Sequence, residues 1–163
     1  MTYEYIVEIK GKLYTICHCS YKEYSRFKRF HYLKTPINPS AKCFIISLNG
    51  EEVGFHASLY FPIKRKDGKK TYRGHRTVIR KKFRGQGIGT FITDFIAKNY
   101  VENGFAYYTK TKNKILGNHR NNSPLWRPTE HTMKHRNFGG GLGKNTYQKN
   151  VAFCHEFVGE KQG

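Results

Sequence analysis

The segment that most constrains the fold is Arg84–Gly89, with the sequence Arg-Gly-Gln-Gly-Ile-Gly. Residues 72–80 before it predict a strand, and residues 91–103 after it predict a helix with an apolar side. The first N–H groups of a helix have no partner within the helix, and the helix dipole is positive there. Because glycine has no Cβ, an anion can approach these N–H groups closely. The segment therefore predicts a phosphate-binding turn.

Three interpretations of this turn compete. A Rossmann G-x-G-x-x-G pattern fails, because Thr90 stands where its third glycine is required and no acidic partner for a ribose follows near residue 110. A purely structural tight turn is the second. The third is the pattern Arg/Gln-x-x-Gly-x-Gly/Ala, which Arg84, Gly87 and Gly89 satisfy. It is typical of N-acetyltransferases.

Residues 75–105 resemble the cofactor-binding core of the GNAT superfamily of N-acetyltransferases, and the resemblance extends over about 40–111. It implies acetyl-CoA or a related acyl-CoA as cofactor, with the donor group left open. It also implies that the coenzyme A pyrophosphate lies on Arg84, Gly85, Gln86, Gly87, Ile88, Gly89 and Thr90. The backbone that pairs with the pantetheine arm would then be that of Thr77, Val78 and Ile79.

Three shorter pieces resemble Mom-type phage proteins, which are similar to acetyltransferases and modify adenine bases in DNA. They are 30–33 (Phe-His-Tyr-Leu), 75–79 (His-Arg-Thr-Val-Ile) and 121–127 (Asn-Asn-Ser-Pro-Leu-Trp-Arg). This resemblance implies a phage-encoded or host enzyme that acts on DNA inside a bacterial cell.

The charge agrees with a polyanionic partner. Thirty Lys and Arg against eleven Asp and Glu leave a net charge of +19 on 163 residues. Residues 64–84 hold eleven basic residues and one acid, Asp67, and residues 110–149 hold nine and one, Glu130. Such an excess is typical of proteins that bind nucleic acid, and we favour DNA over RNA. No apolar run is long enough to span a membrane, and the start of the chain does not read as a signal peptide.

Acyl transfer to an amine requires an uncharged amine, a polarised thioester carbonyl and a proton for the leaving thiolate. His31 is a candidate base or base-reading group, although a histidine at a helix C-terminus is equally natural. His75 starts the strand expected to face the cofactor. Tyr108 and its neighbour Tyr107 point to opposite faces of a strand, so one is expected in the core and the other in the cleft. Ser123 could protonate the thiolate or form a Ser-Pro turn.

Nucleic-acid contacts are expected at Trp126 and Arg127 and at the basic loop Lys64, Arg65 and Lys66. The only tryptophan, beside an arginine, suits stacking on an unpaired base. A buried anchor for the chain is the alternative role of Trp126.

No metal site is expected. His131 and His135 have helical ligand spacing but no cysteine nearby, and no Cys-x-x-Cys pair occurs. The run 139–144 ends in Gly-Lys, but it lacks the first glycine and the Ser or Thr of a phosphate loop.

Together these features predict one GNAT-like α/β (α+β) domain over residues 1–163, with a central mixed, mostly antiparallel sheet flanked by helices. Residues 21–32 are expected to be helical, 42–61 a hairpin around Asn49-Gly50, 150–158 a closing strand, and 123–149 a basic glycine-rich segment. The predicted function is the transfer of a group from an acyl-CoA-type donor to nucleic acid. The favoured form of this function is Mom-like modification of adenine in DNA. The alternatives are acylation of a protein or an aminoacyl-tRNA, and a non-catalytic nucleic-acid-binding module whose cofactor cleft would be filled.

Overall fold

The computed structural model describes residues 4–130, 132 and 152–160. Eight strands form one sheet in the order β1-β2-β3-β4-β5-β6-β8-β7. The strands are β1 Glu4–Ile9, β2 Lys12–Cys19, β3 Lys42–Leu48, β4 Glu51–Tyr60, β5 Thr71–Ile79, β6 Ala106–Thr111, β7 Trp126–Pro128 and β8 Phe153–Phe157. The two helices of the described chain are α1 Ile88–Glu102 and α2 Lys114–Asn122. β5 and β6 pair in parallel and all other neighbours pair antiparallel, which confirms the predicted mixed, mostly antiparallel sheet.

Tight turns set the register of the first four strands. Asn49 and Gly50 both have positive φ, at 50° and 77°, between β3 and β4. Two such residues suit a hairpin turn whose twist matches that of the strands, which confirms the hairpin predicted from Asn49-Gly50. Lys10 and Gly11 make a similar turn between β1 and β2, with φ of 49° and 79°.

Apolar side chains cover both faces of the sheet. Ile92 and Ile96 of α1 pack with Tyr107 and other buried residues on one face. Tyr24 and Phe27 pack against Phe55 on the other face. The sheet therefore lies between α1 and the segment that follows β2.

The segment after β2 differs from its prediction. Residues 21–32 form two short 3₁₀ segments, Tyr21–Arg26 and Lys28–Phe30, instead of an α-helix. Tyr24 and Phe27 are three residues apart, which is one 3₁₀ turn, so both reach the core from the same side. His31 is already extended, with φ −103° and ψ 141°, and is not the last residue of a helix.

β5 and β6 pair only at their beginnings. Thr71–Arg73 lie beside Ala106–Tyr108, and the strands part beyond this point. β5 also has a bulge, because Ala57 faces Arg76 while Ser58 faces Gly74, which leaves His75 as an extra residue. Bulges redirect side chains, often beside active sites. The parted strands and the bulge together open a cleft in the middle of the sheet.

The end of the chain is described in part. The observed strand at the predicted closing position is β8, which lies between β6 and β7. Residues 133–149 of the basic glycine-rich segment, with His135 and the 139–144 run, lie outside the described residues, as do His131 and the first two residues of the predicted closing strand. No helix in the described ranges has the length and apolar character needed to cross a membrane.

Candidate functional site

The cleft between β5 and β6 has a volume of ≈ 790 Å³. One wall is the parted half of β5, and the other is the end of β6 with α2. The loop at 30–33 and Thr93 of α1 complete the lining. A cleft of this size holds a ligand as large as a cofactor arm. The open cleft differs from the filled one expected of a non-catalytic module.

The glycine turn lies where β5 leads into α1. Gly85 and Gly87 have φ of 77° and 76°, a conformation that L-residues other than glycine rarely adopt. Gly87 is the N-cap residue of α1 and has no side chain to cap the helix. The turn is exposed, and the Nζ of Lys10 lies 3.8 Å from where a Cβ on Gly87 would stand. Open helix N–H groups beside an ammonium group fit a pyrophosphate.

Arg84 anchors this turn. Its Nε donates to the carbonyl of Ile79 over 2.9 Å, and its Nη2 donates to the carbonyl of Phe30 over 2.6 Å. One side chain thus ties the turn to the end of β5 and to the loop at the cleft. Gln86 is exposed, Ile88 is buried, and the hydroxyl of Thr90 donates to the carbonyl of Gly87 over 2.9 Å.

Thr77, Val78 and Ile79, the residues expected to pair with the pantetheine arm, all line the cleft on the β5 wall. The side chain of Thr77 belongs to a buried polar network. Its hydroxyl is 2.9 Å from Nδ1 of His56, whose Nε2 is 2.9 Å from Ser58 Oγ and 3.2 Å from the Tyr107 hydroxyl. Complete burial lowers the pKa of His56 to about 3, so this imidazole is neutral.

The cleft brings together His31 and His75, two candidates that are 44 residues apart in sequence. Nδ1 of His31 accepts from the backbone N–H of Leu33 over 3.1 Å, and Nε2 of His75 accepts from that of Asn38 over 3.3 Å. Burial lowers the pKa of both, and the cation of Arg76 lowers both further; the pKa of His75 falls to about 4. Both imidazoles are therefore neutral at pH 7.

Tyr108 and Ser123 are placed outside the cleft lining. Tyr107 is in the core, as one of the two tyrosines was expected to be, but the Tyr108 hydroxyl accepts from Arg65 on the other face of the sheet. Ser123 caps the C-terminus of α2, and its Oγ accepts from the N–H of Leu125 over 3.3 Å. This is the turn-forming alternative for Ser123.

Trp126 requires a correction. Only 4% of it is exposed, its Nε1 donates to Oδ1 of Asp94 over 2.7 Å, and its ring packs edge-on against Phe157. A buried indole cannot stack on an extruded base without leaving the core. Trp126 is therefore the anchor that the sequence left as the alternative. A single tryptophan between two prolines did not reveal that Asp94, 32 residues away, would receive its N–H.

The basic loop at residues 64–66 is also less available for nucleic-acid contacts than its sequence indicates. Lys64 and Lys66 are exposed, but Arg65 forms ion pairs with Asp67 over 2.6 Å and with Glu156 over 2.7 Å. Arg127 is exposed and pairs with the same Glu156 over 2.7 Å. The distant partner Glu156 becomes adjacent only when β8 joins the sheet.

Sequence reasoning missed much of the charge of the cleft itself. Six Lys and Arg residues line it: Arg73, Arg76, Arg84, Lys110, Lys112 and Arg120. No carboxylate residue occurs among the described residues of the lining. The density of basic residues was visible in the sequence, but which of them face one cavity depends on the parting of β5 from β6. The described part of the chain also contains no cluster of three His, Cys, Asp or Glu that could hold a metal ion.

Comparison with known proteins identifies the fold. No known family profile and no curated protein sequence matches the chain. Solved structures do match. The IAA acetyltransferase from Bacillus cereus has a TM-score of 0.61 at 11% identity, over 88% of this chain and 98% of its own. Arabidopsis thaliana Naa50, in complex with the bisubstrate analogue CoA-Ac-MVNAL, matches with a TM-score of 0.60 at 13% identity, over 88% of this chain and 97% of its own. A GNAT family acetyltransferase from Elizabethkingia anophelis with acetyl-CoA bound matches with a TM-score of 0.50 at 12% identity, over 83% of this chain and 81% of its own. The chain has the GNAT acetyltransferase fold.

Proposed function

We propose that this protein is an acyltransferase that uses an acyl-CoA donor. The observation that carries the proposal is the exposed, positive-φ glycine turn at the start of α1, which adjoins an open cleft between parted strands. Two structures with this fold hold a coenzyme A ligand, Arabidopsis Naa50 and the Elizabethkingia acetyltransferase. Calorimetry with coenzyme A and acetyl-CoA tests the proposal, and no measurable binding of either would contradict it.

In the proposed complex, Gly85–Thr90 holds the pyrophosphate and the edge of β5 at Thr77–Ile79 pairs with the pantetheine amides. Bound there, an acyl-CoA supplies an activated acyl group, whose transfer to an amine releases the thiol and moves one proton from the amine to the sulfur. His31, with Nδ1 accepting from Leu33, carries its proton on Nε2 and acts as a hydrogen-bond donor in the cleft. His75 is a weak base at best, because its pKa falls to about 4.

We further propose that the acceptor is nucleic acid. A lysine-type amine is protonated at neutral pH and needs a base before it can attack, whereas the exocyclic amine of a base is already neutral. The described cleft lining offers neutral histidines and cations but no carboxylate. Such a lining fits a neutral amine carried on a polyanion, and the net charge of +19 favours the same class of acceptor.

Within this class, Mom-like modification of adenine in DNA is the finer proposal. Trp126 no longer supports it, because the side chain is buried, so it depends on the resemblance at 30–33 and 75–79 and on the charge. Mass spectrometry of nucleosides from DNA and RNA of cells that express the protein tests it. A modified deoxyadenosine from DNA, absent with a Gly87→Val variant, is the expected result. A modification confined to RNA would move the acceptor to RNA.

A protein acceptor is the second candidate. The observation that favours it is the fold of Arabidopsis Naa50, whose bisubstrate analogue carries a peptide. The same expressing cells distinguish the two: acylated peptides in the proteome with unmodified nucleosides would support the protein acceptor.

A further inference from the structure

Arg120 lies in α2 on the wall of the cleft and is only 6% exposed. Its guanidinium group makes no hydrogen bond and no ion pair with any other residue in the described ranges. Its Cζ lies 5.2 Å from the centre of the Trp126 ring, so the guanidinium group stacks on the indole. None of its nitrogens is among the fully enclosed polar atoms without a partner, so its N–H groups open on the cleft. A charge buried without a counter-ion is costly.

No group around Arg120 forms an ion pair with it in the described chain, and the charge of Asp94 favours the charged guanidinium only from a distance. His56 and His155 are neutral, because burial lowers the pKa of His56 to about 3 and that of His155 to about 4. Burial raises the pKa of the Tyr107 hydroxyl, which is therefore neutral as well. Asp94 is the nearest acid, but its Oδ1 accepts from Trp126 and its Oδ2 lies 3.9 Å from Nε2 of His119.

Thr109 is a second polar group without a partner on the same wall. It is 5% exposed and lines the cleft, and its Oγ1 has no hydrogen-bond partner among the described residues. A Cβ on Gly74 would stand 3.6 Å from Thr109 Cγ2 and 3.5 Å from the Tyr107 hydroxyl. Gly74 and Thr109 are thus neighbours just beyond the last paired residues of β5 and β6. We call this closed end of the cleft, formed by Gly74, Thr109 and Arg120, the root.

We propose that Arg120 binds a carboxylate at the root, and that the acyl group of the donor ends in a carboxylate, as in malonyl- or succinyl-CoA. This inference rests on the proposed acyl-CoA function. A guanidinium group binds a carboxylate through two parallel hydrogen bonds. An acetyl group would leave the charge of Arg120 uncompensated in the complex.

The root favours a small anion over a polymer. Arg120 is only 6% exposed, so a group that reaches it has to enter the cleft. A phosphodiester of a nucleic acid is flanked by sugars on both sides and enters such a site less readily than the end of an acyl chain. The more exposed cation Lys110, at the same wall, suits such a contact better.

Calorimetry with coenzyme A, acetyl-CoA and succinyl-CoA tests the inference. The wild-type protein is expected to bind succinyl-CoA at least ten times more tightly than acetyl-CoA. Arg120→Met is expected to abolish this preference and keep the affinity for coenzyme A. Lys98→Met is the matched control, because its side chain is exposed on α1 and pairs only with Glu102. It is expected to retain the full preference.

Each outcome decides the question. Equal affinity of the wild type for acetyl-CoA and succinyl-CoA overturns the carboxylate site and leaves the acyltransferase proposal intact. Loss of binding to all three ligands overturns both. If Arg120→Met fails to fold, Arg120→Lys keeps the charge but loses the planar fork, and an unreduced preference in that variant counts against bidentate binding.

Discussion

Arg65 and Arg120 lie on the same half of the sheet but differ in the partners of their guanidinium groups. The side chain of Arg65 is 19% exposed and is held by Asp67, Glu156 and Tyr108. Arg120 is 6% exposed, and its guanidinium group has neither an ion pair nor a hydrogen bond to a described residue. The guanidinium of Arg65 is thus satisfied by the protein itself, whereas the proposed partner of Arg120 is a ligand. Both arginines lie in basic stretches of the sequence, so the charge of the surrounding sequence does not distinguish them.

This difference separates structural cations from binding cations. An ion pair such as Arg65–Glu156 links the loop after β4 to β8 and contributes to the fold. A cation without a partner in a cleft costs stability until an anion arrives, and functional sites commonly carry such strain.

The largest effect is expected from Trp126→Ala, because it removes the buried ring on which Arg120 stacks. Large-to-small changes at such sites cost about 3–5 kcal/mol, or roughly 6–20 °C in melting temperature for a domain of this size. Arg127→Ala, at the exposed neighbour, is the control and should change melting by less than about 2 °C. An unchanged melting temperature for Trp126→Ala would contradict burial and return this side chain to a role in base stacking.

Acid is expected to destabilise the protein through its buried neutral histidines. The pKa of His56 is about 3 in the folded chain and about 6.5 when unfolded, so the unfolded state binds more protons below pH 6.5. Stability is therefore complete above about pH 6.5 and is lost as the pH falls, by roughly 2–3 kcal/mol for this histidine at pH 4.5. His56→Gln should flatten the profile of melting temperature against pH, whereas His18→Gln, at an exposed position, should keep the wild-type slope. Equal slopes in all three proteins would refute the argument.

Gly87→Val tests the turn at the other end of the cleft. Valine disfavours φ of 76° and places a branched side chain at the exposed start of α1. Affinity for coenzyme A should fall at least tenfold by calorimetry. Gly68→Val is the matched control, since Gly68 has φ of 71° and no neighbour within 4 Å of an added Cβ. If the two variants lose affinity equally, backbone strain explains the loss and contact with the pyrophosphate does not.

Arg65→Met should destabilise the protein, in contrast to Arg120→Met. Glu156 keeps Arg127 but loses its more buried partner, so we expect a cost of about 1–2 kcal/mol. Lys82→Met breaks the exposed pair with Glu51 and should cost under about 1 kcal/mol. Arg120→Met should leave the melting temperature unchanged or raise it. A drop for Arg120→Met as large as that for Arg65→Met would show that Arg120 is structural.

The smallest effect concerns nucleic-acid affinity. Lys110 lines the cleft and has no ion pair within the described chain, so Lys110→Ala should remove about one phosphate contact and lower the slope of log affinity against log salt by about 1. Arg65→Ala should leave the slope unchanged, because its charge is already neutralised. Titrations of duplex DNA at several salt concentrations measure both slopes. A larger change for Arg65→Ala than for Lys110→Ala would reverse the assignment of the two cations.

Local patterns predicted the fold well wherever neighbours in sequence are also neighbours in space. Asn49-Gly50 set a hairpin, and the apolar spacing of residues 91–103 set α1 directly after the glycine turn. The prediction of an α-helix over residues 21–32 was wrong. The aromatic spacing that suggested this helix also fits the 3₁₀ turn that places Tyr24 and Phe27 against Phe55. That choice depended on packing against a strand that follows much later in the chain.

By itself, the sequence determined the class of fold, the glycine turn before α1 and the excess of positive charge, since each of these depends on local spacing or on composition. Only the tertiary structure decided that Trp126 is buried on Asp94, that Arg65 is paired with Glu156, and that the guanidinium of Arg120 lines the cleft without an ion pair in the described chain. The first two contacts join residues 32 and 91 positions apart, and the third depends on the place where β5 parts from β6. Whether a charge binds a ligand or supports the fold is decided by its neighbours in space, which are set when the sheet closes.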